Sequence, residues 1–528
     1  MQSQVYALLL WLAVMASAAS LAERRRWNAP VLLVLAGGAL GAVPGLPQIE
    51  VAPDLLLALL LPPLVWSDAL QTSWNDFRRW MRPILMLAIG LVVATTAAVG
   101  AVAHALLPGL PWPACFLLGA LVSPTDTVAV QALLERLHAP RRVTAILGGE
   151  SLVNDATGLV GVQVCVALVL SGAFELGELA THFTRVAGLG VAVGLVVGAA
   201  TALANRRLRN VHALFSTSLA APYLAYALAQ ELDASGVLAV VVSGFVAAWN
   251  AHSMRGEARV ELHSTWRQLV FLGNGACFLY IGAQTPRIAR SVDLLENPSL
   301  LAAGAALTAT ALAVRLAWCA PPALLARAGL ARQLLLRDGV ASWRSGAILA
   351  WSGMRGFLSL AAALALPLEG SGGTPFPGRD SIVACTLMVV LGTLLLQGLT
   401  LQPLVRALGL RDDEDSAGEV RRARERLLEA GIARLDAFCS ENACPIAVHH
   451  LRVHMLDELE TLRDEDDEER RSALSRVVVS RQVRQAVAAA QERALLWLRD
   501  SGQINDKTHD RLRLELDRAN LPAEREAA

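Results

Sequence analysis

The chain has 528 residues, of which 54% are hydrophobic and only 17% are charged, and its mean hydropathy is +0.46. Charged residues make up about a quarter of an average soluble chain. The composition therefore excludes a large soluble enzyme and indicates a membrane protein. The formal net charge is zero, which gives no argument for nucleic acid as a partner.

The charged residues divide the chain into two parts. Residues 411–528 hold 46 of the 92 charged residues, and the first 410 residues hold the other 46. This uneven distribution predicts two domains, an apolar transmembrane domain at 1–410 and a charged cytoplasmic tail at 411–528. The tail is expected to be helical, with a long helix from about Glu468 to Arg499, and the sequence does not indicate its partner.

Apolar stretches recur along the first domain at the length of about 20 residues that a helix needs to cross a bilayer. They predict an all-α polytopic membrane protein with about thirteen transmembrane helices. The predicted spans cover about residues 4–22, 29–46, 51–70, 83–107, 112–134, 145–171, 182–204, 211–230, 234–250, 266–285, 298–326, 343–367 and 381–408.

Arginine is distributed unevenly among the loops between these spans. The loops after spans 1, 3, 5, 7, 9 and 11 each carry three arginines, such as Arg24, Arg25 and Arg26, whereas the intervening loops carry few. Short cytoplasmic loops collect positive charge. The pattern therefore predicts a multi-pass plasma (inner) membrane protein with an external N-terminus and a cytoplasmic tail.

Five ionisable residues lie well inside the predicted spans, namely Asp126, Glu150, Asp155, Arg315 and Arg355. Each costs at least about 2.5–3.5 kcal/mol at the middle of a membrane, so each is expected to have a partner or a function. Three acids against two bases leave one carboxylate in excess. Because a buried excess carboxylate holds either a proton or a cation, the pattern predicts an ion-exchange site.

The first part of this site is a predicted break in span 5, at residues 123–127. Pro124 has no amide hydrogen and interrupts the helical hydrogen bonds, which can turn the carbonyl of Thr125 inward beside Asp126. A plain proline kink is the structural alternative. Broken helices of this kind form ion sites in secondary transporters, which favours an ion site here.

The second part lies on span 6, where four polar residues fall on two helix faces. Ser151 and Asp155 are one turn apart and present oxygens suited to a monovalent cation. Glu150 and Asn154 share the neighbouring face, and Arg315 of span 11 is the natural counter-ion for Glu150. A purely structural ion pair remains the alternative interpretation of that pair.

Span 12 shows a second predicted break, because Arg355 lies between Gly353 and Gly356. Spans 5 and 12 are each the middle member of a consecutive triple of spans. This arrangement is expected of inverted repeats whose broken helices cross near the membrane middle.

At these residues the sequence resembles the monovalent cation:proton antiporters of the NhaP/NHE type. The matching segments follow the order of the family and cover nearly all of residues 1–410. They are a PPL at 62–64, SPTDTVAV at 123–130, GESLVND at 149–155, FLYIG at 278–282, the helix of Arg315 and WSGMRG at 351–356. This chain differs from the family in having Thr127 where a proline is usual, and in its WSGMRG segment.

The resemblance implies a homodimeric transporter, not an enzyme, with an interface domain, a six-helix core and no cofactor. Its cargo would be Na⁺, or K⁺ or Li⁺, and H⁺. Asp155 resembles the carboxylate that binds the cation and the proton, helped by Ser151, Asp126 and the Thr125 carbonyl. The core ion pair and its support would be Glu150, Arg315, Asn154 and Arg355.

A carboxylate that cannot hold a cation and a proton together predicts exchange by alternating access at Asp155 and Asp126. The family resemblance further implies that Asn154 stands where a second aspartate would bring another proton, so we expect one cation per proton, no net charge movement, and a role in pH and sodium homeostasis. Two other classes remain open. One is an ion-binding membrane sensor that signals through the tail, and the other is an intramembrane aspartyl protease, whose GxGD signature is absent.

Overall fold

The protein is described by a computed structural model over most of its length. In the described residues the chain is mainly helical and has no β-strand, only an isolated bridge between Glu369 and Pro375. Two units are distinguished, Met1–Asp412 and Asp413–Ala528. The described residues are 2–25, 27–44, 52–127, 130–131, 133–134, 139–171, 176–208, 210–250, 256–294, 296–327, 343–370, 374–409, 414–441, 446–463, 491, 493, 494 and 497.

The helices of the first unit are numbered in chain order. They are α1 (Gln2–Arg25), α2 (Ala29–Ala42), α3 (Pro53–Gln71), α4 (Trp74–Arg79), α5 (Met81–Leu106, with a π-helical segment at Met86–Leu91), α6 (Trp112–Val122), α7 (Arg141–Ser171), α8 (Leu176–Arg207), α9 (Val211–Glu231), α10 (Gly236–Trp249), α11 (Gly256–Ser291), α12 (Pro298–Arg327), α13 (Trp343–Trp351), α14 (Phe357–Leu364) and α15 (Arg379–Leu408).

A helix or a broken helix lies at each predicted span. By length and composition alone, six helices of the described residues can cross a membrane, namely α1, α5, α7, α8, α12 and α15. Shorter apolar helices lie at α2, α3, α6 and α10. The all-α membrane fold is confirmed, while the number of crossings stays a prediction.

Both predicted helix breaks are present. α6 ends at Val122 and residues 123–127 are not helical, while 352–356 separate α13 from α14 in the same way. The two breaks meet, because the amide of Asp126 donates a 2.7 Å hydrogen bond to the carbonyl of Met354. The inverted repeat that the two breaks suggested remains a prediction.

The first break does not depend on a proline after Asp126. Thr127 occupies that position, and its carbonyl accepts a 2.7 Å hydrogen bond from the amide of Gln131. Helical hydrogen bonding therefore resumes directly after the break, so the departure from the family pattern leaves the local interruption in place.

Small residues allow α2 and α11 to pack very closely. A Cβ atom added at Gly37 would lie 2.2 Å from the carbonyl oxygen of Leu279, and one at Gly41 would lie 2.4 Å from that of Ala283. Glycines spaced four apart provide this close approach in membrane helices, where contact between backbones takes the place of hydrophobic burial. The close packing fixes α11, which contributes one wall of the site described below.

In the second unit, helices α16 (Glu414–Glu441) and α17 (Ile446–Arg463) pack against each other. Ile432 and Leu459 are buried, and the Nε of Arg452 lies 2.5 Å from the Oδ1 of Asp436. Most of the helix predicted from Glu468 to Arg499 lies outside the described residues.

Candidate ion-binding site

The break after α6 is tied to α7 through Thr125. The hydroxyl of Thr125 donates to Oε1 of Glu150 at 3.1 Å, and the amide of Asn154 donates to Oγ1 of Thr125 at 2.8 Å. The Thr125 carbonyl accepts hydrogen bonds from Ser151 and from Asn154, both at 3.3 Å. The carbonyl and the hydroxyl of Thr125 are thus satisfied by side chains of the next helix, as the polar groups of broken membrane helices must be.

Glu150 and Arg315 form an ion pair that is removed from solvent. Both side chains are almost completely buried, at 1% and 0% exposure. Arg315 donates from Nη1 to Oε1 and from Nη2 to Oε2, the second contact being 2.9 Å long, and its Nε donates to the carbonyl of Leu349 at 3.1 Å. Two parallel hydrogen bonds fix both side chains and neutralise their charges.

Arg355 lies where the two interrupted helices end. Its Nε donates to the carbonyl of Val122 at 2.8 Å, at the C-terminus of α6, and its Nη1 donates to the carbonyl of Gly353 just after α13. The amide of Arg355 donates to Oγ1 of Thr393 at 3.1 Å. A cation here satisfies carbonyls that the helices leave without partners and opposes the negative ends of two helix dipoles.

A cavity of about 60 Å³ lies on the other side of α7. Ser151 and Asp155 of α7 line it, together with Asp126 of the first break. A buried water needs at least about 10–15 Å³ of such space, so the cavity has room for a small cation with part of its hydration. No described lining residue is basic, so the wall of the cavity presents negative charge, which favours a cation or a proton over an anion.

Asp68 of α3 is a third carboxylate on this cavity, and sequence reasoning missed it. The five residues counted well inside the predicted spans did not include it. Asp68 falls two residues before the predicted end of span 3, where an acid is expected to reach the membrane surface. Its occurrence one turn after the PPL segment was the available signal, but only packing shows that it turns toward the cavity.

The position of Asp126 depends on Gly356 in the second break. A Cβ atom at Gly356 would lie only 2.0 Å from Oδ2 of Asp126. The carboxylate thus lies against the N-terminus of α14, where the helix dipole favours negative charge. The two breaks support each other, one providing the acid and the other the space for it.

Thr125 differs from the other predicted ligands in its position. Among the described residues, the cavity is lined by Pro124 and Asp126 but not by Thr125. Its carbonyl accepts the 3.3 Å hydrogen bond from the hydroxyl of Ser151 described above, and Ser151, not Thr125, lines the cavity. Glu150, Asn154, Arg315 and Arg355 also lie outside the cavity lining.

An all-helical membrane fold with acids gathered where two broken helices cross defines a class, the ion-transporting membrane proteins. The model of the transmembrane sodium/hydrogen exchanger family matches residues 10–407. This chain therefore belongs to that family, whose members are cation/proton antiporters and not enzymes in the usual sense.

Individual relatives agree with this assignment. An uncharacterised Na⁺/H⁺ exchanger of Mycobacterium tuberculosis is 35% identical, over 92% of this chain and 90% of the relative. A sodium, potassium, lithium and rubidium/H⁺ antiporter of Bacillus pumilus is 30% identical, over 78% of this chain and 63% of the relative.

The fold also matches a solved structure. The sodium proton antiporter MjNhaP1 of Methanocaldococcus jannaschii, solved at pH 8, aligns with a TM-score of 0.59 over 77% of this chain and 98% of that one. The sequence identity is only 18%, so this likeness concerns the fold.

Proposed function

We propose that this protein exchanges one monovalent cation for one proton across the plasma membrane by alternating access at Asp155 and Asp126. One observation carries the proposal. Asp68, Asp126 and Asp155 line a single cavity, and no described lining residue supplies a positive charge. The negative charge in this cavity attracts a monovalent cation or a proton, and it cannot hold both at once.

The binding step follows from the oxygens available in the cavity. The carboxylates of Asp155 and Asp126 and the hydroxyl of Ser151 replace part of the hydration of the cation, and the Thr125 carbonyl supports Ser151 from behind. Protons compete for the same carboxylates, so protonation releases the cation. Exposure of the cavity to each side of the membrane in turn then couples the two opposite fluxes.

The proposed stoichiometry depends on Asn154. It is an uncharged amide whose Nδ2 is occupied by Thr125, so it neither binds a proton nor enters the cavity. Glu150 is neutralised by Arg315 and stays outside the exchange. We therefore infer electroneutral exchange that serves pH and sodium homeostasis.

Cation selectivity is proposed to extend from Na⁺ to Li⁺ and K⁺. Selectivity depends on fitting an ion among oxygens, and the cavity is large enough to keep some water around a smaller ion. The antiporter from Bacillus pumilus, whose name includes four alkali cations, supports this range.

The proposed arrangement is a homodimer in the bilayer, with an external N-terminus and a cytoplasmic tail. The alternation of arginine between loops supports the orientation. The family resemblance supports the dimer.

The test is proton flux in everted membrane vesicles after addition of Na⁺, Li⁺ or K⁺. Wild type should dissipate the imposed pH gradient, and its apparent cation affinity should fall at successively lower pH because protons compete. Asp155→Asn should abolish the flux while remaining folded in the membrane. Asp76→Asn, the same chemical change outside the cavity, is the matched control and should transport normally.

Two outcomes would overturn the proposal. Full transport by Asp155→Asn would remove the central carboxylate from the mechanism. Absence of cation-dependent proton flux in the folded wild-type protein would instead favour an ion-binding sensor that signals through its tail.

A further inference from the structure

A second pocket, separate from the ion site, has a volume of about 260 Å³. It is bounded by the ends of α3, α8 and α10, by α9, and by the first turns of α11. The sequence segments 206–209 and 255–267, whose arginines mark the predicted cytoplasmic side, overlap or adjoin its lining residues Asn205, Arg259 and Arg267 in the chain. The pocket therefore lies at the end of the helices that the arginine distribution predicts to be cytoplasmic.

One face of α11 gives this pocket its charge. Arg259, His263 and Arg267 are spaced four residues apart, so they lie in a row along one side of the helix, and all three line the pocket. No described lining residue is acidic. The pocket therefore favours an anion over a cation, in contrast to the carboxylate cavity.

Two buried polar atoms of the pocket have no hydrogen-bond partner among the described residues. They are Nε1 of Trp66, whose side chain is 1% exposed, and Oδ1 of Asn205, which is 5% exposed. Both residues line the pocket. An indole N–H only donates, and an amide can rotate to present its NH₂ group, so both positions suit an acceptor-rich ligand.

The surroundings of the pocket are apolar and exposed. Leu203, Trp249 and Val260 have exposed fractions of 51%, 59% and 47%, and each lies within two residues of a pocket residue in α8, α10 or α11. In a membrane protein such side chains contact acyl chains, and tryptophan is enriched at the level of the headgroups. A ligand with a charged head and hydrocarbon chains fits both surfaces.

We propose that this pocket binds the phosphate-bearing headgroup of an anionic phospholipid. Arg259 and Arg267 bind the phosphate oxygens, His263 and Trp66 add donors, and the chains of the lipid lie over the neighbouring exposed apolar residues. Guanidinium groups suit this role because their fixed donors match phosphate geometry. Basic pockets between membrane helices bind headgroups on this side of the membrane.

The test measures lipid retention by the purified full-length protein in detergent, with native mass spectrometry as the readout. The probes are phosphatidylglycerol, phosphatidylcholine and inorganic phosphate. Wild type should retain phosphatidylglycerol in preference to phosphatidylcholine. The double variant Arg259→Gln/Arg267→Gln should bind phosphatidylglycerol at least about tenfold more weakly, because two charge-assisted contacts are lost.

The matched control is Arg24→Gln/Arg25→Gln, which removes two exposed arginines from the end of α1 at the same predicted membrane face. It should retain phosphatidylglycerol as wild type does. If the glutamine variant does not fold, Arg259→Lys/Arg267→Lys keeps the charge and loses the fork geometry, and it should bind with intermediate affinity. Trp66→Phe should also weaken retention, since it removes the N–H donor together with part of the buried ring.

Three results would overturn the proposal. Equal retention by wild type, the pocket variant and the control would mean general attraction to a basic surface. Equal retention of the two lipids would remove the requirement for a net negative headgroup. Inorganic phosphate that binds alone and displaces the lipid, with the same dependence on Arg259 and Arg267, would make the ligand a soluble anion.

Discussion

Glu150 and Asp155 lie five residues apart on α7 and meet opposite surroundings. Glu150 is buried against Arg315, accepts three hydrogen bonds and has a fixed geometry. Asp155 is half-buried and faces a cavity with two other acids. The comparison shows that a charge inside a membrane becomes structural when its partner is another side chain, and exchangeable when space and like charge surround it.

The largest expected effect is a loss of folding stability when the buried ion pair between Glu150 and Arg315 is broken. Glu150→Gln or Arg315→Met alone should destabilise the protein by about 3–5 kcal/mol, because each leaves one uncompensated buried charge. The double variant should lose less than the sum of the single changes. Thermal unfolding of the purified variants in detergent measures this.

If either single variant unfolds at the wild-type temperature, the charge pair is not structural and the contrast with Asp155 fails. Asp155→Asn is the control for this measurement. It removes a charge from the cavity side, so its unfolding temperature should stay at or above that of wild type.

The contact between the two helix breaks provides the next test. Gly356→Ala adds a methyl carbon that would lie only 2.0 Å from Oδ2 of Asp126. The variant should therefore lose about 1–3 kcal/mol of folding stability, or its Asp126 carboxylate should move and transport should slow. The matched control is Gly161→Ala, whose new Cβ would lie 3.5 Å from its nearest described neighbour, the Cβ of Ala120. That control should fold and transport normally. Equal vesicle flux and unfolding temperature for both variants would show that Gly356 does not position Asp126.

The third carboxylate should have a smaller effect, on affinity. Asp68→Asn removes negative charge from the cavity wall without removing Asp155, so the apparent cation affinity should fall about tenfold, or about 1.4 kcal/mol. The maximal rate should change less. Flux measured over a range of Na⁺ concentrations separates the two quantities, and Asp76→Asn again controls for loss of an aspartate elsewhere. An unchanged affinity would exclude Asp68 from the cation site.

The smallest effect is expected for an ion pair that water reaches. Oδ2 of Asp76 accepts hydrogen bonds from Arg141 at 3.0 and 3.2 Å, but the Arg141 side chain is 52% exposed. Asp76→Asn should change stability by no more than about 1 kcal/mol, because solvent screens exposed pairs. If Asp76→Asn lost as much folding stability as Glu150→Gln, burial would not explain why the two ion pairs differ in their contribution to stability.

The sequence alone determined the class of fold and most of the site. Length and apolar composition predict membrane helices because only a helix satisfies its own backbone in hydrocarbon. Asp126, Glu150, Asp155, Arg315 and Arg355 stand out because charges are costly there, and Pro124 and the glycines around Arg355 predict both helix breaks.

Only the tertiary structure decided which of these residues line the cavity and which support it from outside. It brings Asp68 to the cavity from a helix end, sets Thr125 behind Ser151, and places Arg355 on the carbonyls of both interrupted helices. These relations join residues up to 233 positions apart. Helical periodicity relates near neighbours on one helix, whereas the packing of separate helices determines which faces meet.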